Sequence, residues 1–438
     1  MISTSSRLSA FISGFDEKNS ARGKHLPHWL ADARSAGIHR FNQLGFPTPK
    51  DEEWKHTSIA PIVERKFHLP TAQKIIEVNA FEGYRSGFDV TIVFVNGFFS
   101  KEYSHFGNLS KKCSLVNLAE ISERDNENIR PLLDKYASAA EDSFAALNRA
   151  FLNNGTVIKI DDKAVVEKPI HIIHIASGIK DNAIIFPRTL IILGKSSEAE
   201  ILESHVAFCD TSYFVNAVSD IFVAEDAKLR YYKTQGESPK AFHIATTRAW
   251  QERNSQFETF SFSTGAEITR NNLTVTLNGE GASAVLNGLY AATGHQLVDN
   301  HTAVDHRTPH CTSNQLYKGI LDGDARAVFN GKIFVRREAQ QTNSYQLNKN
   351  LMLGKGCQVN TKPQLEIFAD DVRCTHGATI GQLNEDEIFY LLTRAIPKNL
   401  AVKMLARGFV DDIFSKVRNE TVRGKMDKLL TNAFSVLK

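Results

Sequence analysis

A five-residue pattern recurs between residues 197 and 374, and it restricts the chain to few folds. The copies are SEAEI (197–201), EDAKL (225–229), TGAEI (264–268), EGASA (280–284), GDARA (323–327), KGCQV (355–359) and DDVRC (370–374). The third and fifth residues are Ala, Val, Cys, Ile or Leu in every copy, and the second and fourth are charged, polar or Gly. Residues two apart on a strand share a face, so each copy presents a narrow apolar face just after a turn. One such face cannot bury itself, and stacking successive coils joins the faces into a single core. At roughly 25 residues per coil the region holds about nine rungs. The spacing is irregular, as in a degenerate repeat with loops inserted.

The surrounding texture agrees. From Gly155 to about residue 381, short runs such as VIKI, IHIIHI, TLIIL, LTVTL and AVLNGLY alternate with Gly, Asn, Asp and Ser, the signature of strands between turns. A β-sandwich is the competing arrangement, although the region is large for one. The flanks read as helical. Residues 1 to about 75 carry HLPHWLADARSAGIHRFNQLGF, which ends at Gly45 and is closed by Pro47 and Pro49. The loop PTPKDEEWKHT with Trp54 follows. Residues 80–140 are mixed, with a strand at 89–96, a turn at Asn96-Gly97 and a helical stretch from about NENIRPLLDK onward.

At the other end, Asn384 is placed as an N-cap and Glu387 at the capping-box position. Pro397 breaks that helix. The next carries Leu400, Met404, Leu405, Phe409, Ile413, Phe414 and Val417 at helical spacing, and VRGKMDKLLTNAFSVLK forms the last. Helices here are expected to cover the open end of the stack and to offer a docking surface. The chain therefore divides into an N-terminal helical region (1–80), a mixed lead-in (81–154), a β-solenoid core (155–383) and a C-terminal helical domain (384–438).

Composition narrows function. The net charge is +3 and 42% of residues are hydrophobic, which argues for neither nucleic acid nor an anionic membrane as partner. The five cysteines are odd in number and scattered, a poor disulfide framework that suits a reducing cytoplasm. No apolar run is long enough to span a bilayer. The Ser-rich N-terminus contains Asp16 and Glu17 and no Arg-rich stretch, so it reads as an ordinary first helix rather than a transit peptide.

The catalytic motifs are missing. LGKSS (193–197) contains Gly-Lys-Ser, but a P-loop needs another Gly where Thr189 stands, and a helix must follow. No GxGxxG, GxSxG, CxxC or HExxH is present. A carboxylate pair is not excluded by sequence, so a β-solenoid carbohydrate-active enzyme is an alternative. His295, His301, His306, His310 and Cys311 crowd one stretch. A zinc or iron site is one reading; their spacing matches no zinc motif, and polar strand and turn positions are the plainer one. Cys357 fills a third position of the repeat as a small core residue. Cys374 and His376 lie two apart, on one face of a strand. Cys374 occupies a fifth position, which favours core filling. His376 falls two residues further on, where other copies carry Glu203, Tyr231, Arg270, Leu286, Phe329 and Thr361, a slot that tolerates polar groups.

Two long blocks then point to a family. HRTPHCTSNQLYKGILDGDARAVFNGKIFVRREAQQTNSYQLNKNLMLGKG and KPQLEIFADDVRCTHGATIGQLNEDEIFYLLTRAI closely resemble the SufB/SufD family of iron–sulfur cluster assembly proteins, on its SufD side. GFPTPKDEEWKHTSIAPI (45–62) and FVNGFFS (94–100) are also similar to it. The resemblance runs from about residue 90 to the end and is densest over 299–410.

It implies a mainly β fold, a right-handed parallel β-helix flanked by N- and C-terminal α-helical regions. It also implies a non-enzymatic scaffold that pairs with SufB through the β-helix end and binds the ATPase SufC. The C-terminal helices, about 385–417, would dock SufC, with Phe389, Tyr390, Met404 and Phe409 as candidate contacts. Nucleotide would then be bound by the partner and not by this chain. His376 matches the family histidine at the interface and would be a transient ligand of the iron–sulfur cluster shared with SufB, with Cys374 beside it. A reduced flavin is associated with the complex, and the isolated chain could form a homodimer. The essential cysteine and acidic residues of SufB are not visibly reproduced.

Overall fold

The computed structural model describes residues 6–13, 15, 27–71, 78–107, 109, 112–122, 126–135 and 142–435. Two long sheets face each other. The first runs β2 (Phe98–Phe99), β1 (Val90–Val95), β5 (Ile170–Ser177), β8 (Glu198–Phe208), β10 (Lys228–Glu237), β12 (Gln256–Gly265), β14 (Ser283–Ala292), β16 (Thr312–Leu321), β18 (Thr342–Met352) and β20 (Val372–Gly381). The second runs β19 (Gln358–Ile367), β17 (Arg326–Val335), β15 (Leu297–His306), β13 (Ile268–Leu277), β11 (Phe242–Gln251), β9 (Tyr213–Val223), β7 (Arg188–Leu193), β4 (Thr156–Ile160) and β3 (Cys113–Asn117). A short β6 (Ala183–Ile185) pairs beside β9.

From β5 onward each neighbouring pair within a sheet is parallel, while the chain alternates between sheets, which is a parallel β-solenoid of about eight turns. The register steps from Phe242 to Ile268 in one coil and from Arg326 to Gln358 in another. The second step exceeds the roughly 25 residues per coil expected from the sequence, and the first is close to it. Those units start strands in both sheets, so their spacing measures parts of a coil as well as whole ones.

The apolar third and fifth positions do what the pattern requires. Ala199, Ile201, Ala227, Leu229, Ala282, Ala284, Ala325 and Ala327 lie in one continuous core between the sheets, whereas Ile268 of TGAEI packs in the outer cluster with Phe242 and Ile244. Further along the same strands the interior is polar, and this half leaves no trace in an apolar pattern. Gln315 Nε2 on β16 donates to Thr302 Oγ1 on β15 at 2.5 Å, and His306 Nε2 on β15 lies 2.9 Å from Ser313 Oγ on β16. Tyr290 and Tyr317 fit inside because a glycine stands opposite each. A Cβ on Gly319 would lie 2.2 Å from the Tyr290 ring, and one on Gly288 equally close to the Tyr317 ring.

The N-terminal end of the stack is closed by antiparallel strands, β2 on β1 and β3 on β4. Asn96 and Gly97, both at positive φ, make the hairpin turn. Helices α1 (Ser6–Phe11), α2 (His28–Leu44), α3 (Ala60–Val63), α4 (Val78–Arg85), α5 (Asn126–Lys135) and α6 (Ser143–Ala150) follow the expected order. Gly45, at φ 67°, ends α2 by donating its N–H to the Phe41 carbonyl at 2.7 Å. Asp142 caps α6 by accepting from the Phe144 and Ala145 amides at 2.9 Å. Phe11, Phe41, Trp54, Phe67 and Phe144 pack over Phe214, Phe242 and Ile244 on the outside of the second sheet. Asp16 and Glu17 lie outside the described residues.

The C-terminal helices are α7 (Glu385–Thr393), α8 (Lys398–Phe414) and α9 (Glu420–Ser435). Asn384 caps α7, accepting from the Asp386 amide at 2.9 Å. These helices do not cover the end of the stack. Ala406, Val410, Ile413 and Phe414 instead lie against Phe260, Phe262, Leu289 and Ile320 on the outer face of the first sheet. Lys318 on β16 fastens α8 there through the Phe409 carbonyl (2.7 Å) and the Asp412 carboxylate. The flank supplies a wide apolar surface for an amphipathic helix, whereas the last coil presents strand edges that a helix cannot hydrogen-bond.

Candidate functional site at the open end of the solenoid

Because the helices sit on the flank, the final coil is uncovered. Among the described residues β20 pairs only with β18 and β19 only with β17. Each leaves a row of backbone donors and acceptors facing outward. Tyr345, Ile367, Phe368 and Ile380 are exposed around this rim. Unpaired edges with apolar neighbours are a template for strand addition.

His376 lies at this end. It pairs in register with Gln346, which pairs with Gln315 one coil below. Gln315 and Gln346 are fully buried inside the solenoid, whereas His376 is exposed because no coil follows it. Tyr231 and Leu286, also two residues beyond a repeat unit, stand in the His376 column, whereas Arg270, Phe329 and Thr361 lie in the second sheet. Glu203 belongs further along its strand, opposite Lys233. Neither amide atom of Gln346 has a hydrogen-bond partner, so an unsatisfied carboxamide lies directly beneath the imidazole.

Cys374 is half-buried and packs against Ile333, Val335, Ala339 and Ala369. Burial pushes its thiol pKa upward, which favours the protonated thiol over the thiolate that binds metals. The two residues thus separate into a packing thiol and an available imidazole.

The His-rich stretch does not converge. His295 and His310 are exposed turn residues; His306 and Cys311 are buried in separate contacts. His301 is clamped between carboxylates, 3.2 Å from Glu53 and 3.0 Å from Asp299. Arg270 completes this group, donating to Asp299 at 2.6 Å and stacking 3.7 Å over Trp54. The DEEWKHT loop is thereby pinned to the second sheet, and the carboxylates are neutralised as ion pairs rather than presented to a substrate.

This cluster carries a pH prediction. Burial resists the charge on Asp299, but Arg270 and His301 outweigh it and hold the carboxyl at about 2. The His301 hydrogen bond leads in lowering Glu53, also to about 2. Burial likewise resists the His301 imidazolium, and Asp299 and Glu53 raise its pKa regardless. The Asp299 shift corresponds to roughly 2 to 3 kcal/mol, present above about pH 4 and lost as pH falls toward 2. The His301 contribution is present below about 6.5, the unfolded value, and is lost as pH rises through the raised folded value. Thermal unfolding should therefore show wild type exceeding His301→Gln most at about pH 5 to 6, with the gap shrinking on the alkaline side. A gap independent of pH would refute this.

On the C-terminal helices Phe389 and Tyr390 are 67% and 57% exposed, and Leu392, Leu400 and Met404 extend the apolar patch. Phe409 is different: it is partly buried against the flank core, with Lys318 Nζ 4.6 Å from its ring centre.

One cluster escaped sequence reasoning. His174, Glu203 and His205 come together inside the solenoid near its N-terminal end, with ligand atoms within 4.8 Å of one another. The available signal was the His residues placed on inward positions of IHIIHI and ESHV, where the alternation predicts apolar side chains.

The description of SUF system FeS cluster assembly, SufBD core domain, matches residues 174–409, and that of the SufBD protein N-terminal region matches 5–172. The chain belongs to the SufBD family. Similarity to that family begins well before residue 90, where the quoted blocks place it. A SufBD family iron–sulfur cluster assembly protein of Synechocystis is 30% identical, over 91% of this chain and 89% of the relative. The iron–sulfur cluster assembly protein SufD of Escherichia coli is 30% identical, over 87% and 88%. Protein ABCI7, chloroplastic, of Arabidopsis thaliana is 28% identical over 93% and 86%. Members of the SufBD family take part in iron–sulfur cluster assembly. No helix among the described residues is long and apolar enough to cross a membrane.

Proposed function

We propose that the chain is a non-catalytic scaffold subunit that joins SufB through the open end of its solenoid and holds the ATPase SufC on its C-terminal helices. The carrying observation is the uncovered last coil, where two free strand edges and an apolar rim surround His376. A second solenoid added there continues both sheets and removes the edges. In that junction His376 faces the partner and supplies one exchangeable imidazole to a nascent cluster otherwise bound by the partner's ligands. Cys374 supports the strand that carries it. The same edges allow a second copy of this chain to pair when SufB is absent.

The patch of Phe389, Tyr390 and Met404 fits SufC docking, with Phe409 as the internal support. Nucleotide binding and hydrolysis belong to SufC, and closure of two SufC subunits would strain the solenoid junction and open the cluster ligands. The flavin associated with the family is taken as a component of the assembled complex and is assigned to no site on this chain. The complex works in the cytoplasm.

The two surfaces are separable by mutation. Ile380→Lys with Tyr345→Lys should abolish co-purification of SufB and leave SufC bound. Phe389→Ala with Tyr390→Ala should do the reverse. Each pair should cost about 2 kcal/mol or more in binding, as central apolar anchors do. Loss of both partners in both variants, or of neither, would contradict the assignment.

A further inference from the structure

The polar cluster within the N-terminal half of the solenoid serves no step of the assembly reading. Glu203 on β8 is fully buried between the sheets. Its Oε1 lies 2.9 Å from His174 Nε2 on β5 and 3.8 Å from His205 Nε2 on β8. Thr189 on β7 donates to the same oxygen at 2.9 Å; Ser219 on β9 (3.1 Å) and Tyr231 on β10 donate to the other. The two imidazoles stack at 4.8 Å. What remains unexplained is His205: it is 1% exposed, and neither ring nitrogen has a hydrogen-bond partner. Protein interiors rarely leave both nitrogens of a buried imidazole unmatched.

We propose that His174, Glu203 and His205 form an enclosed binding site for one divalent transition-metal ion of the zinc or ferrous type. Two imidazoles and a carboxylate are a donor set that suits these ions. Ligand atoms about 2.1 Å from one metal stand about 3.0 to 3.5 Å apart; the present separations, from 2.9 Å to within 4.8 Å, reach that range through side-chain rotation.

Thr189, Ser219 and Tyr231 fix the carboxylate that would bind the ion, as outer hydrogen bonds do in metal sites. The ion is loaded as the coils close around it, which couples it to folding, and it lies in the coils far from the terminal one that carries His376.

The test uses the full chain made without a polyhistidine tag, with metal content measured by plasma mass spectrometry. The chain is analysed as isolated and after refolding with Zn²⁺, Fe²⁺ under anaerobic conditions, or Co²⁺. The expected result is about one ion per chain in wild type and in His376→Ala, falling roughly tenfold or more in His205→Ala and His174→Ala. The Co²⁺ form of wild type should show visible d–d bands without thiolate charge transfer. If the alanine variants do not fold, this wild-type spectrum decides. Substoichiometric metal in wild type under every condition, equal metal in folded His205→Ala, or a thiolate band would each overturn the proposal. Metal lost in His376→Ala and kept in His205→Ala would place the ion at the open end instead.

Discussion

Replacing His376 by Ala is expected to lower the iron and acid-labile sulfide retained by the reconstituted complex by roughly tenfold or more, the scale set by loss of a metal-site partner. The isolated chain should keep its stability within about 0.5 kcal/mol, because His376 is exposed on a terminal strand and supports no core. SufB and SufC should still co-purify, since the strand edges and the apolar rim remain. Anaerobic assembly followed by metal and sulfide analysis makes the measurement. Unchanged cluster content in the intact His376→Ala complex would leave the chain as a pure adaptor. Cys374→Ala should behave differently, with a packing cost and an assembled cluster, because its thiol lies against Ile333 and Val335.

The largest stability loss should come from Asp220. This carboxylate, fully buried on β9, accepts from Arg248 at 2.6 and 3.0 Å and also from Arg188. Burial resists its charge, but the two guanidinium groups overcome that and lower its pKa. Asp220→Ala removes the buried carboxylate that both nearly buried arginines donate to. Removing one partner of such a group costs about 3 to 5 kcal/mol, to be read from denaturant unfolding followed by circular dichroism. Asp220→Asn keeps the shape and one acceptor, so it should lose less. A cost under about 1 kcal/mol in Asp220→Ala would mean that the arginines find other partners or water.

The solenoid was legible because its requirement is local. Each coil must offer small apolar residues two apart after a turn, and Ala199 with Ile201 or Ala282 with Ala284 announce that without reference to anything distant. The polar half of the interior was not legible. His174, Glu203, Gln315 and Gln346 occupy inward positions where alternation predicts hydrocarbon, and their satisfaction depends on partners contributed by the opposite sheet. The C-terminal helices illustrate a similar limit. Leu405, Phe409, Ile413 and Phe414 show that α8 has an apolar face, but nothing in its sequence chooses between the end of the stack and its flank. The flank offers Phe260, Phe262 and Leu289, and that contact decided it.

His376 draws the line between the two kinds of information. Sequence alone established the strand, the shared face with Cys374, the helix capped by Asn384 that follows, and the family resemblance. Tertiary structure decided that the strand is the last in its sheet. Gln315, Gln346 and His376 hold equivalent positions in three successive coils, yet two are sealed and one is open. Exposure here is set by what stacks next, a property of the assembled coils that no single stretch of chain encodes.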